Sequence, residues 1–184
     1  MRLWVLSIFL CISLLSTSAQ DVAVYEAKGP VKQIKWVRTS DRAFPIPYFY
    51  GTQNFDRCGR VKDFDKRYYA KRDRKGRMKR EGMDPTDAYE WHYDKKGRMI
   101  WLYYLERGDY AFYSYIIYPF YTASGEVGKY RIHEGELSDI RDMINELTVN
   151  ITERDHYGNW IRRSLTSSVG KQVFNEKRII TYYK

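Results

Sequence analysis

The densest run of chemically active side chains lies between Arg57 and Arg80, where 12 Lys+Arg face 3 Asp+Glu. The 184-residue chain carries a formal charge of +9, so the rest of it is nearly neutral. Arg60 and Lys62 are two residues apart, as are Arg77 and Lys79. In an extended chain each pair projects to one side. If residues 57–80 fold as one basic hairpin, the four cations gather on one face. There they repel unless solvated or bound to an anion such as an acidic glycan, a lipid phosphate or nucleic acid. Arg suits phosphate or carboxylate by bidentate contact, and Lys adds point charge. The same composition also describes an edge hairpin kept soluble by Lys and Arg.

Aromatics form a second concentration. Trp101, Tyr103, Tyr104, Tyr110, Phe112, Tyr113, Tyr115, Tyr118, Phe120 and Tyr121 fall within 21 residues. Alternate residues of a strand share a face, so Tyr113 and Tyr115 point one way and Phe112 the other. One face belongs to the core. The other is a candidate tyrosine platform, with Tyr113 and Tyr115 as its members, for stacking on sugars or bases. Cross-strand pairing that only stabilises a sheet is the competing reading.

Signals for catalysis are sparse. His92, His133 and His156 are far apart, and no metal-ligand spacing occurs. There is no glycine-rich phosphate loop and no Gly-x-Ser-x-Gly elbow. No cofactor is implied, and a non-enzyme is expected. No Cys/His/Asn arrangement is visible around Cys58, which reads as a passive turn residue.

The elements that must position these residues are marked by a recurring turn. Asp56-Arg57-Cys58-Gly59, Asp73-Arg74-Lys75-Gly76, Asp94-Lys95-Lys96-Gly97 and Asp155-His156-Tyr157-Gly158 share Asp first and Gly fourth, and Thr122-Ala123-Ser124-Gly125 is a weaker copy. Asp at the first position of a type I turn accepts backbone N–H groups. Gly at the fourth takes the left-handed conformation that returns the chain into a second strand. Gly59, Gly76, Gly97 and Gly158 are therefore predicted at hairpin tips with positive φ. Polar-then-apolar pairs follow, as in Arg98-Met99 and Asn159-Trp160, and begin a period-2 strand. The spacing between glycines grows along the chain, which excludes an array of equal repeats.

Residues 1–19 read as a signal peptide. Arg2 precedes an apolar run from Leu3 to Leu15, too short to span a bilayer, and Thr17 and Ala19 suit a cut before Gln20. Residues 20–184 are then a single β-rich domain with no transmembrane segment, secreted or in the periplasm or outer envelope. Losing Cys11 with the leader leaves Cys58 alone, so no internal disulfide is expected. One short helix is predicted near 138–148, with Ser138 as its cap and Ile140, Ile144 and Leu147 at i, i+4 and i+7. The fold class is a mainly β, antiparallel meander of hairpins.

Tyr93-Asp94-Lys95-Lys96-Gly97-Arg98 resembles the Tyr-Asp repeat of Rhs-type bacterial surface and toxin-shell proteins. Residues 155–163, followed by 178–183, resemble the C-terminal part of small secreted proteins common in Bacteroidetes, and Gly29-Pro30-Val31-Lys32 resembles their first strand. The resemblance runs discontinuously over residues 25–184. It implies a β-hairpin sheet and an envelope or secreted location, and brings no catalytic residues. The handful of hairpins here is too few for a toxin-enclosing shell. Two function classes follow: a non-catalytic module binding a glycan or protein through its sheet, and an anion binder working through residues 57–80.

Overall fold

The computed structural model describes residues 20–38, 51–62, 69–84, 87–107, 112–136 and 139–184. The expected leader lies outside the described residues. A five-residue helix, α1 (Gln20–Val24), comes first. Eleven strands follow: β1 (Val31–Arg38), β2 (Thr52–Asn54), β3 (Tyr69–Arg72), β4 (Met78–Asp84), β5 (Asp87–Tyr93), β6 (Met99–Arg107), β7 (Phe112–Tyr121), β8 (Val127–Glu136), β9 (Asp139–Arg154), β10 (Trp160–Ser167) and β11 (Val173–Tyr182).

They form one antiparallel sheet in the order β2-β1-β11-β10-β9-β8-β7-β6-β5-β4-β3. From β3 to β11 this is the expected meander. The N-terminal strand then lies beside the C-terminal one, Ile34 opposite Ile180. Eleven strands laid flat would span about 48 Å at the usual strand spacing. Yet the Asp21 carboxylate of α1 accepts the Val61 N–H (2.9 Å), just beyond β2, and both Arg72 Nη groups (2.7 Å each), on β3 at the opposite edge. The sheet must therefore curl until its edges converge on α1. Among the described residues the edge strands do not pair with each other, and the sheet is not closed into a barrel.

The core fills the concave side. Ile34, Trp91, Leu102, Ile117, Ile132, Leu147, Leu165 and Phe174 alternate with outward residues along their strands, and Val22 and Val24 of α1 close it. Each Asp-x-x-Gly forms the anticipated tip. Gly59, Gly76, Gly97 and Gly158 have φ of +72°, +79°, +86° and +76°. In the 94–97 turn the Gly97 N–H donates to the Asp94 carbonyl (3.1 Å), and the Arg98 N–H to the Asp94 carboxylate (2.9 Å). Thr122-Ala123-Ser124-Gly125 folds the same way with a threonine hydroxyl in place of the carboxylate.

Of the helix expected near 138–148, Ser138 lies outside the described residues and 139–148 are instead part of the 16-residue strand β9. Leu147 is fully buried, whereas Ile144 points outward and is half exposed. The spacing of Ile140, Ile144 and Leu147 mimicked a helical stripe. Pairing on both sides, with β8 and β10, decides the matter: a segment rich in Ile, Val and Thr fits a pleated surface between two neighbours. The only helix among the described residues is α1.

Candidate functional site: the outward aromatic face

Because Trp91, Leu102, Ile117 and Ile132 point inward, their neighbours His92, Trp101, Tyr118 and His133 point out. Register brings them together. His92 lies opposite Trp101, Glu90 opposite Tyr103, Tyr103 opposite Ile116, and Ile116 opposite His133. The His92 and Trp101 rings stack at 3.5 Å between centroids, 13° apart, and Tyr118 meets His133 edge-on at 5.4 Å. Phe120, 43% exposed, carries the Arg131 guanidinium 5.2 Å from its ring centre. Charged groups rim the patch. Glu90 reaches His92 Nε2 at 2.9 Å, and Glu146 binds both Arg131 (2.8 Å) and Lys129 (3.0 Å). Those two cations hold the Glu146 carboxyl below the usual carboxylate range. The result is a convex, partly exposed aromatic surface with planar hydrogen-bonding groups at its margin.

Tyr115 is not part of this surface. It is half-buried on the concave side, in an inward row of rings: Tyr89 stacks on Tyr104 at 4.4 Å, and Tyr104 on Tyr115 at 6.0 Å. The expectation of an open platform there is corrected: the larger apolar demand is on the concave side, so alternation sends Tyr115 into the core and leaves Trp101, Tyr103, Tyr118 and Phe120 outside. Tyr113 pairs with Glu106 and Glu136 in the ladder, and its side chain lies outside the described residues.

The basic window is not one hairpin. Residues 60–62 run beside β2, where Val61 bridges Phe55, whereas β4 pairs with β3 and β5. Beside buried Val61 and Met78, the side chains of Arg60, Lys62 and Lys79 are exposed, whereas Arg77 is only 14% exposed. Arg77 is committed: it binds Asp73 (2.6 Å) and lies 4.5 Å over the Tyr93 ring. Arg60, Lys62 and Lys79 are exposed and in no ion pair among the described residues. The strand pairing that was to gather four cations does not form.

The turn end carries interactions that motif reading missed. The tyrosine before a turn donates to the carbonyl two residues after the preceding turn's glycine: Tyr93 to Met78 (2.7 Å) and Tyr121 to Met99 (2.9 Å). The arginine after that earlier glycine covers the ring, Arg77 on Tyr93 and Arg98 on Tyr121. Burial raises the phenol pKa of both tyrosines. The signal was the aromatic residue immediately before Asp94 and Thr122.

Opposite these rungs, the concave side of β10 and β11 holds charge. Arg178 donates to the carbonyls of Tyr25 (2.6 Å), Glu26 (2.7 Å) and Trp160 (2.6 Å). Arg163 pairs with Glu26 (2.7 Å) and with Glu176. Burial works against the charge on Arg163, but Glu176 and Glu26 hold its pKa above the ordinary value. Burial pulls Arg178 down to about 9, which leaves it charged at neutral pH. These contacts tie Arg163 and Arg178 to Tyr25, Glu26, Trp160 and Glu176, and the cluster reads as an anchor for residues 25–28.

No group of three or more His, Cys, Asp or Glu among the described residues is placed to hold a metal. No described helix is long and apolar enough to cross a membrane. Cys58 is exposed and free. Compared with known proteins, the chain matches no family model and no curated sequence.

Proposed function

We propose that the protein is a non-catalytic, secreted or envelope-located binding module whose outward aromatic face recognises a glycan. The observation that carries this reading is the partly exposed patch of His92, Trp101, Tyr103, Tyr118 and Phe120 on one sheet face. Ring faces pack against the C–H faces of pyranose rings, and marginal carboxylate and guanidinium groups match hydroxyls. The leader-like residues 1–19 and the Tyr-Asp resemblance support the location.

Affinity electrophoresis in gels containing soluble β-glucan or xylan, with sedimentation of peptidoglycan sacculi, tests it. Retention on at least one of these is expected. Trp101→Ala should weaken it by about tenfold or more, since a stacked aromatic contributes on the order of 1–3 kcal/mol. Tyr115→Phe, on the concave side, should not. Retention should change little between low and high salt. Absence of retention on every polymer, or full retention by Trp101→Ala, overturns the reading.

A second reading rests on Arg60, Lys62 and Lys79, three outward cations in no ion pair among the described residues. An acidic glycan, lipid phosphate or nucleic acid bound there would be lost steeply with salt. Replacing all three by Gln would abolish heparin retention while leaving the aromatic face intact.

A further inference from the structure

The turns 94–97, 122–125 and 155–158 stand at one end of the sheet, and residues 23–28 run against them. Between them lies a cleft of about 270 Å³. Its floor is apolar: Val24, Ala27, Met99, Val127 and the Trp160 ring line it. The polar groups of the floor are already engaged. Tyr93 and Tyr121 donate to backbone carbonyls, and Trp160 Nε1 donates to Glu26 (3.1 Å).

Charge at the mouth is unbalanced. Both acids there are neutralised internally, Glu26 by Arg163 (2.7 Å) and Glu126 by Arg154 (2.9 Å to Nη2). Arg98 is likewise held by Asp94 (2.8 Å). Lys28 and Lys96 remain, exposed and in no ion pair among the described residues. The wall that carries Lys28 is fixed. Asn159 accepts the Lys28 N–H (2.7 Å) and donates to the Lys28 carbonyl (3.0 Å), while Arg178 grips the carbonyls of Tyr25 and Glu26. The cleft is therefore preformed, apolar at its base and positive at its mouth.

We propose that this cleft binds a small amphipathic anion, its apolar body on the floor and its carboxylate or sulfonate between Lys28 and Lys96. An uncharged apolar ligand would make no use of the two ammonium groups, and a strongly polar one would find few hydrogen-bonding groups below the rim. The site lies apart from the outward aromatic face and does not depend on glycan binding.

The test is fluorescence titration of the purified protein with 1-anilinonaphthalene-8-sulfonate and with its uncharged counterpart N-phenyl-1-naphthylamine, under conditions where a cooperative thermal transition shows the native state. One sulfonate-probe site per chain is expected, displaced by decanoate and not by decanol. Lys28→Gln with Lys96→Gln should weaken the sulfonate probe by about tenfold and leave the uncharged probe unchanged. Ala23→Trp, at an exposed position on the cleft wall, should exclude both probes without lowering the melting temperature. Equal binding of the two probes, indifference to the lysine pair, or full binding by folded Ala23→Trp each overturns the proposal.

Discussion

Across β5–β7 the concave face is packed with rings, Trp91, Tyr89, Tyr104 and Tyr115, beside Leu102 and Ile117. Across β10 and β11 the same face carries Arg163, Glu176 and Arg178, each at most 9% exposed. The first region is held by local repetition: each hairpin supplies a turn and a rung to the next. The second is held by a segment more than 130 positions away in sequence, because its charges are completed only when Tyr25 and Glu26 arrive. Ring stacking tolerates imperfect neighbours. A buried guanidinium does not, since an unmatched charge or carbonyl in the interior costs far more than a small void.

The largest effect should come from the charged region. Arg178→Met keeps length and removes the charge, and it strips a donor from three interior carbonyls. A loss of about 3–5 kcal/mol is expected in urea unfolding. Ile117→Val, in the ring-packed region, should cost only about 0.5–1.5 kcal/mol. Equal losses would break the comparison.

Next comes Asp21, which joins the two sheet edges. Asp21→Asn keeps shape but ends the bidentate ion pair with Arg72, for an expected loss of about 1–3 kcal/mol. Hydrogen exchange should show the loss of protection confined to β2, β3 and residues 59–62. Uniform loss across the sheet would mean that the edges are coupled through the core and not through α1.

The turns occupy the next step. Gly97→Val and Gly158→Val should each cost on the order of 1–3 kcal/mol, because a β-branched residue resists positive φ. At Gly158 an added Cβ meets nothing within 4 Å, so any loss there is conformational and not steric. The same turns set an acid limit. Burial opposes ionisation of Asp73, but its hydrogen bonds with Arg77 hold the carboxyl below its ordinary 3.8, and Asp155, bonded by Tyr182 and Asn159, behaves likewise. A depressed folded pKa contributes stability above the unfolded value, and that contribution is lost as pH falls through the folded one. The melting temperature should hold from neutrality down to the ordinary carboxylate range and fall below it.

These turns were legible because their cause is local: Asp56, Asp73, Asp94 and Asp155 each cap their own backbone, and glycine is needed three residues on. The meander followed from them. The strand identity of residues 139–148 was not legible, since Ile140, Ile144 and Leu147 satisfy a helical stripe as well as a pleat until β8 and β10 are in place. Nor was the facing of Tyr115, which depends on which side of the sheet closes around α1. The pairing of residues 60–62 with β2, and of β4 with β3 and β5, prevents the expected basic hairpin, and Arg77 is taken up by Asp73 and Tyr93. The role of Glu26 had no signal at all, because its partners Tyr130, Trp160 and Arg163 are brought to it only by the curl.

The smallest effect concerns the rungs between turns. Tyr93→Phe removes one hydrogen bond, to the Met78 carbonyl, and keeps the ring beneath Arg77. Tyr121→Phe does the same at Met99 beneath Arg98. Each should cost about 0.5–1.5 kcal/mol. If the ring-packed region is built from rungs that act hairpin by hairpin, the double variant should equal the sum of the two within about 0.5 kcal/mol, as separated sites do. A larger deviation would show that the rungs communicate through β6, which carries Met99 at its start and pairs with β5, the strand that ends in Tyr93. In that case the local region would share the long-range cooperativity of the charged one, and the distinction between them would narrow to the chemistry of their side chains.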